Sequence, residues 1–255
     1  MPDWEISRGD GPVIATAVHS GHAIRPELLE RIALDGPARL REEDPLTDMF
    51  VGAGDQTFRA RTSRFEIDLN RPEDEAVYME PSDAWGLTIW NEKPTEDMVR
   101  RSLAAREEYY AMMRGWIEEG IARHGSLLVL DIHSFNHRRD GADAAPSDPE
   151  GNPDLDLGVT TADRQKFGSV LDAFEEGLQG EAAGRKLDVR RNVRFVDGGN
   201  WPEWVFAEYG ANVCTVTVEY KKFFMDEWTG QADIAMVEDL RAGLVRATQA
   251  ARRAL

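Results

Sequence analysis

Five histidines stand in this sequence. Four of them fall in two short stretches, "HSGH" with His19 and His22, and "HSFNH" with His133 and His137. Each stretch follows an apolar run, "PVIATAV" in one case and "LLVL" in the other. In α/β sheets, ligands gather outside the carboxyl ends of strands, so imidazoles placed there from two strands can meet. A hydrolytic zinc site needs about three protein ligands and one open position for water. His19 and His133 are the natural first two. The third lies open between His22, close after His19, and Asp44 in "REEDPLTD", where Glu43 and Asp48 are further acids. His124 ends a helical stretch and reads instead as a cation at a negative helix terminus.

A water activated by a metal needs a base. Glu219 ends the apolar run "CTVTVEY", where an acid is costly unless it is paired or used. Its chemical reading is a general base that takes the water proton and returns it to a leaving nitrogen. The competing reading is an ion pair with Lys222 or with Lys221, which strand alternation keeps on the same face. A third polar strand end, "EIDLNRPED", carries Asn70 and Arg71. The planar guanidinium fits a carboxylate with two parallel hydrogen bonds. "RRNVRFVDGGNW" adds Arg194 and the pair Gly198–Gly199, which can form a turn or let the backbone approach a ligand. Ser20 and Ser134 each adjoin a histidine, but neither lies in a Gly-x-Ser-x-Gly elbow. The aromatics of "FFMDEWTG" and the lone Cys214 read as core or wall.

These residues need elements to hold them. The pattern predicts strands over 12–18, 63–69, 126–132, near 187–193 and over 214–220. Between them it predicts helices over 25–34, from Thr95 to a stop at Gly125, near 162–178, over 201–210, and at the carboxyl end through Ile234, Val237, Leu240 and Leu244. The Asp-, Pro- and Gly-rich stretch 140–158 reads as a long surface loop. Strands alternating with helices imply one α/β/α sandwich, residues 1–255, around a mixed, mostly parallel sheet.

Composition narrows the function. The 255 residues hold 30 basic against 47 acidic side chains, a net charge of −17. That balance argues against binding a phosphate backbone, and an anionic substrate would need arginines of its own. No apolar run approaches the roughly 20 residues of a membrane helix. The single cysteine and the absence of a basic-then-apolar leader point to the cytoplasm.

The stretches "VHSGHAIRPEL", "REEDPLTD", "SRFEIDLNRPEDEAVY", "LDIHSFNHRR", "NPDLDLG", "NVRFVDGGNW" and "EYKKFFMDEWTG" together resemble the N-formylglutamate amidohydrolase family along nearly the whole chain. "DLNR" and "DIHS" are also similar to motifs of the zinc carboxypeptidases, whose α/β fold is related. The resemblance implies that His133 binds zinc, that Asn70 and Arg71 hold a substrate carboxylate, and that Glu219 is the base. The carboxypeptidases place an acid three residues after the first histidine, where this chain has His22; the formylglutamate hydrolases, like this chain, lack that acid and carry an acidic motif similar to "EEDP". The expected activity is zinc-dependent cleavage of the amide bond of a small N-acylated amino acid, N-formyl-L-glutamate leading. Arg194 or Arg138 would meet a second carboxylate. The rival expectations are a carboxypeptidase-like peptidase or peptidoglycan amidase and, from another class, a carboxylate-binding protein without catalysis.

Overall fold

The apolar runs that end in acids and histidines become the middle of a seven-stranded sheet. The computed structural model describes residues 3–196 and 198–255. In chain order the strands are β1 (Trp4–Ser7), β2 (Val13–Ala17), β3 (Gln56–Ala60), β4 (Leu127–Phe135), β5 (Leu155–Gly158), a small hairpin of β6 (Glu181–Ala182) and β7 (Arg185–Lys186), β8 (Val189–Arg191) and β9 (Val213–Lys221). The sheet order is β1-β3-β2-β4-β9-β5-β8. The central strands β3, β2, β4 and β9 run parallel. Antiparallel partners lie on both sides, β1 against β3 and β5 against β9.

The helices are α1 (Pro26–Leu29), α2 (Gly36–Glu42), α3 (Thr47–Phe50), α4 (Glu96–His124), α5 (Arg164–Leu178), α6 (Asn200–Tyr209) and α7 (Ile234–Ala254). Strand alternation sends Leu127 and Val129 of β4 into a core with Tyr109, Met113, Trp116 and Ile117 of α4 and Trp201 and Val205 of α6. Leu128, Leu130 and Ile132 enter the opposite core with Phe167, Val170 and Phe174 of α5 and Val237, Leu240 and Leu244 of α7. This is the α/β/α sandwich with a mixed, mostly parallel sheet. Along β4 the same alternation continues the Leu127–Val129 face into Asp131 and His133. Register then sets His133 opposite Glu219 on β9. Among the described residues, no helix is long and apolar enough to cross a membrane.

Several elements differ from the sequence expectation. "SRFEIDL" (63–69) is a chain of turns, not a strand, with only bridges at Thr62 and Ser63. Its alternating apolar residues are buried, but Phe65 joins a different cluster from Ile67 and Leu69. The Ser63 carbonyl accepts the amides of both Glu66 and Ile67, so local turns take the backbone groups a ladder would need. The helix expected over 25–34 is a single turn, Pro26–Leu29. The expected loop 140–158 ends in β5, which completes its backbone pairing against β9.

Candidate metal centre and active site

β2 runs out at Ala17, and the chain then delivers His19 to the carboxyl edge of the sheet, beside His133 near the end of β4. Asp44 arrives from the turn between α2 and α3, where its amide donates to the His19 carbonyl and its own carbonyl caps Thr47. Three donor atoms converge. His19 Nδ1 lies 3.1 Å from His133 Nδ1, and Asp44 Oδ2 lies 3.0 Å from His133 Nδ1 and 3.5 Å from His19 Nδ1. Ligand atoms about 2.0–2.1 Å from a tetrahedral zinc stand about 3.3 Å apart, so this triangle has the right edge. The other imidazole nitrogens both meet carboxylates: His19 Nε2 to Asp68 Oδ1 at 2.7 Å, and His133 Nε2 to Asp131 Oδ2 at 2.8 Å. A carboxylate behind each imidazole fixes the tautomer that leaves Nδ1 free for a metal. All five side chains are buried. The donor set therefore fits a divalent cation.

His22 stands outside this triangle. Its Nδ1 hydrogen-bonds Glu43, which also accepts from Ser63, and His22 does not line the cavity. Of the two candidates for third ligand, the one brought to the histidines is Asp44.

Charge balance at the centre follows from these contacts. Burial would raise the Asp44 carboxyl, but hydrogen bonds from His133 and His19 overcome it and hold it well below the usual carboxylate range. Burial would lower His133, yet Asp131 and Asp44 raise it well above the ordinary imidazole value. Asp68 is likewise driven well below its usual range, with His19 and Arg64 outweighing burial.

The triangle opens on a cavity of about 310 Å³. Glu219 faces it, 7% exposed, and burial pushes its carboxyl up to about 8, with the acids Asp44, Asp131 and Asp156 adding to the rise against His133. The expected competitor for Glu219 is turned away: Lys221 Nζ pairs with Asp154 at 2.8 Å and donates to the Asn152 carbonyl. Lys222 donates instead to the carbonyls of Arg41 and Glu43, and burial lowers it to about 8. It fastens the segment that ends in Asp44.

Arg71 lines the cavity over the Tyr78 ring, its guanidinium reaching the Asp83 carbonyl at 3.1 Å and Glu75 at 3.4 Å. Asn70 also lines it, but as a brace: Nδ2 donates to the Gly198 carbonyl and Oδ1 accepts from the Trp201 amide. Gly198 and Gly199 are required there. Both have positive φ, and a Cβ would fall 2.1 Å from Thr217 Oγ1 in the first and 2.6 Å from Asn70 Nδ2 in the second. Arg194 lies on the cavity wall over the rings of Phe135 and Phe195. Arg138 does not reach the cavity. It pairs with Asp226 at 2.6 Å, and its neighbour Arg139 lines the cavity, paired with Glu42 at 3.1 Å. Leaving a strand end, adjacent residues point different ways, and the sequence alone does not say which one turns inward.

Sequence reasoning also missed Asp68, Arg64 and Trp85, and gave Asp131 no role of its own beside His133. Asp131 had a signal: two residues before His133, it shares that face of β4. Asp68 had none in periodicity, because a turn places it. Its Oδ1 accepts from His19 and from the Asn70 amide at 2.8 Å, and its Oδ2 accepts from Arg64 and Tyr78. One carboxylate thus ties the candidate metal site to the chain bearing Asn70 and Arg71. Among the described residues, the cavity-lining cations Arg194 and Lys222 have no carboxylate partner, whereas Arg64 pairs with Asp68.

Residues 11–224 match the family described as N-formylglutamate amidohydrolase. Among solved structures, an N-formylglutamate amidohydrolase from Ralstonia eutropha JMP134 is similar at 20% identity and a TM-score of 0.74, with both chains covered in full, 100% each. A gene product from Agrobacterium tumefaciens is similar at 17% identity and a TM-score of 0.62, over 96% of this chain and 95% of that one. No curated protein sequence matches.

Proposed function

The chain belongs to the N-formylglutamate amidohydrolase family, and from that premise we propose that it is a metal-dependent hydrolase of a small N-acylated amino acid with two carboxylates, N-formyl-L-glutamate first among them. The observation that carries the reading is the triangle of His19, Asp44 and His133 lining a cavity that also holds Glu219 and, among the described residues, two cations without a carboxylate partner, Arg194 and Lys222. The products would be glutamate and formate. One folded domain, 1–255, and a reducing, cytoplasmic setting for the unbridged Cys214 complete the reading.

His19, His133 and Asp44 would hold the cation, zinc being the natural choice for two imidazoles and one carboxylate. When bound, it supplies Lewis-acid polarisation of the acyl carbonyl and acidifies a water. Asp68 and Asp131 keep the two imidazoles in the binding tautomer. Glu219, facing the same cavity, takes the proton of the attacking water and delivers it to the departing amide nitrogen, so the product leaves as an amine. Arg71 receives one carboxylate of the substrate and Arg194 the other. A volume of about 310 Å³ suits a small metabolite better than a peptide or glycan chain.

Metal analysis combined with a screen of N-formyl and N-acetyl amino acids, read as release of free amine, tests this. Stoichiometric divalent metal and fastest release from an N-acylated dicarboxylic amino acid are expected. Metal-replete protein that releases no amine from any of them would overturn the reading.

A further inference from the structure

Asp156 lies on β5, fully buried at 0% exposure, directly opposite Glu219 on β9. Two acids side by side on neighbouring strands repel, so the position is an expensive one for a carboxylate. Its oxygens are nevertheless committed. Oδ1 accepts the amide of Val193 at 3.0 Å, and Oδ2 accepts those of Arg194 at 2.6 Å and Phe195 at 2.8 Å. Three consecutive backbone amides on one buried carboxylate pin a segment that has no strand or helix of its own. Hydrogen bonds to an ionised acceptor are about twice as strong as neutral ones.

The pinned segment carries Arg194. The guanidinium donates to Asn152 and stacks over Phe135 at 5.1 Å and Phe195 at 5.3 Å. Its backbone is therefore set by Asp156, its plane by two rings and its tip by an amide. We propose that Asp156 is a positioning residue for specificity: it holds the 193–195 segment so that Arg194 meets the second carboxylate of a dianionic substrate. The inference rests on the hydrolase reading above and adds to it the group that sets preference for a diacid over its monoamide. Asn at 156 could not substitute. With one oxygen left, it serves either Val193 or the Arg194–Phe195 pair, and turns N–H against N–H on the other side.

The test uses kcat and KM of the metal-loaded enzyme on N-formyl-L-glutamate and N-formyl-L-glutamine, which differ only in that carboxylate. Wild type, Asp156→Asn, Arg194→Ala and the double variant form a cycle. In Asp156→Asn the diacid-to-monoamide ratio of kcat/KM should fall about 10-fold or more, the scale of one hydrogen bond to a charged group. The fall should come through KM, and the double variant should be no worse than Arg194→Ala. Losses equal on the two substrates, or losses that multiply in the double variant, overturn the inference while leaving the hydrolase reading intact. Failure of wild type to cleave either substrate sinks the N-formylglutamate reading on which the inference rests. Should Asp156→Asn not fold, amide exchange in the wild-type holoenzyme decides: Val193, Arg194 and Phe195 should be protected like β9, and exchange at exposed-loop rates overturns the inference.

Discussion

His133 Nδ1 is the atom on which the centre turns, since it touches both His19 and Asp44. Removing it leaves two ligands, so His133→Ala should lose most bound metal and all measurable hydrolysis. Asp44→Ala should lose metal likewise, whereas His22→Ala should retain it, because His22 is hydrogen-bonded to Glu43 away from the triangle. Metal content after dialysis checks the set, and a metal-free His22→Ala with a metal-replete Asp44→Ala would reverse the assignment. Glu219→Gln should keep metal and lower kcat by about 100-fold or more, the scale of a positioned proton carrier. The sign of its pH effect follows from a folded value raised to about 8 by burial. A base works deprotonated, so activity rises with pH through that value, and a cation nearby moves the limb lower. In the metal-free protein the raised value means that the folded state holds the proton more tightly. Stability is then lost as pH climbs from the unfolded value near 4.5 toward 8. Metal-free Glu219→Gln should not show that loss. Denaturation at pH 5 and pH 8 reads it directly, and parallel curves for the two proteins would count against a strained Glu219. At this scale the strand-end residues were legible because a polar group after an apolar run is costly unless used. The choice between His22 and Asp44 was not, since it depends on a turn between α2 and α3 that carries no periodic signal.

Elements built from long apolar periods were the legible ones. α4 was bounded correctly by its Thr95 cap, which accepts from Met98, and by Gly125 with φ +79. β1, β3 and β5 went unseen because "WEIS", "QTFRA" and "LDLG" interleave a few apolar residues with polar ones and lack the apolar run that marks β2, β4 and β9. "SRFEIDL" failed in the opposite sense, alternating like a strand while its backbone served turns. The face between α5 and α7 gives a prediction at this scale. Gly177 lies where an added Cβ would come within 2.5 Å of Ala247 Cα. Gly→Ala inside a helix ordinarily gains up to about 1 kcal/mol. Here the backbone of a neighbouring helix must move, and Gly177→Ala should instead destabilise by about 1–3 kcal/mol, the range for overpacking. Thermal melts decide, and a higher melting temperature in the variant would show that the two helices are not so closely apposed.

Across the whole molecule the charge is −17, yet the cavity gathers Arg64, Arg71, Arg139, Arg194 and Lys222. A net negative charge opposes self-association, and the local cations make one place where an anion can rest. The total was readable from the sequence, but its partition was not, since these residues enter from segments far apart in the chain. The same separation would make a bound metal a tie for the fold. His19 and His133 are 114 positions apart, and Asp44 is 89 from His133, so the three ligands meet only in the folded chain. A ligand bound by the folded state alone stabilises it by about 2.7 kcal/mol at 100 times its dissociation constant. For a chain of this size each kcal/mol moves the melting temperature by about 2–4 °C, so chelation should lower it by roughly 5–10 °C. The drop should be partial, because the hydrogen bonds of His133 to Asp44 and Asp131 and of His19 to Asp68 persist without a cation. Adding zinc back should restore the melt, and His133→Ala should be indifferent to chelator. A melting temperature unmoved by stripping a stoichiometric metal would mean that the cation does not join these three segments.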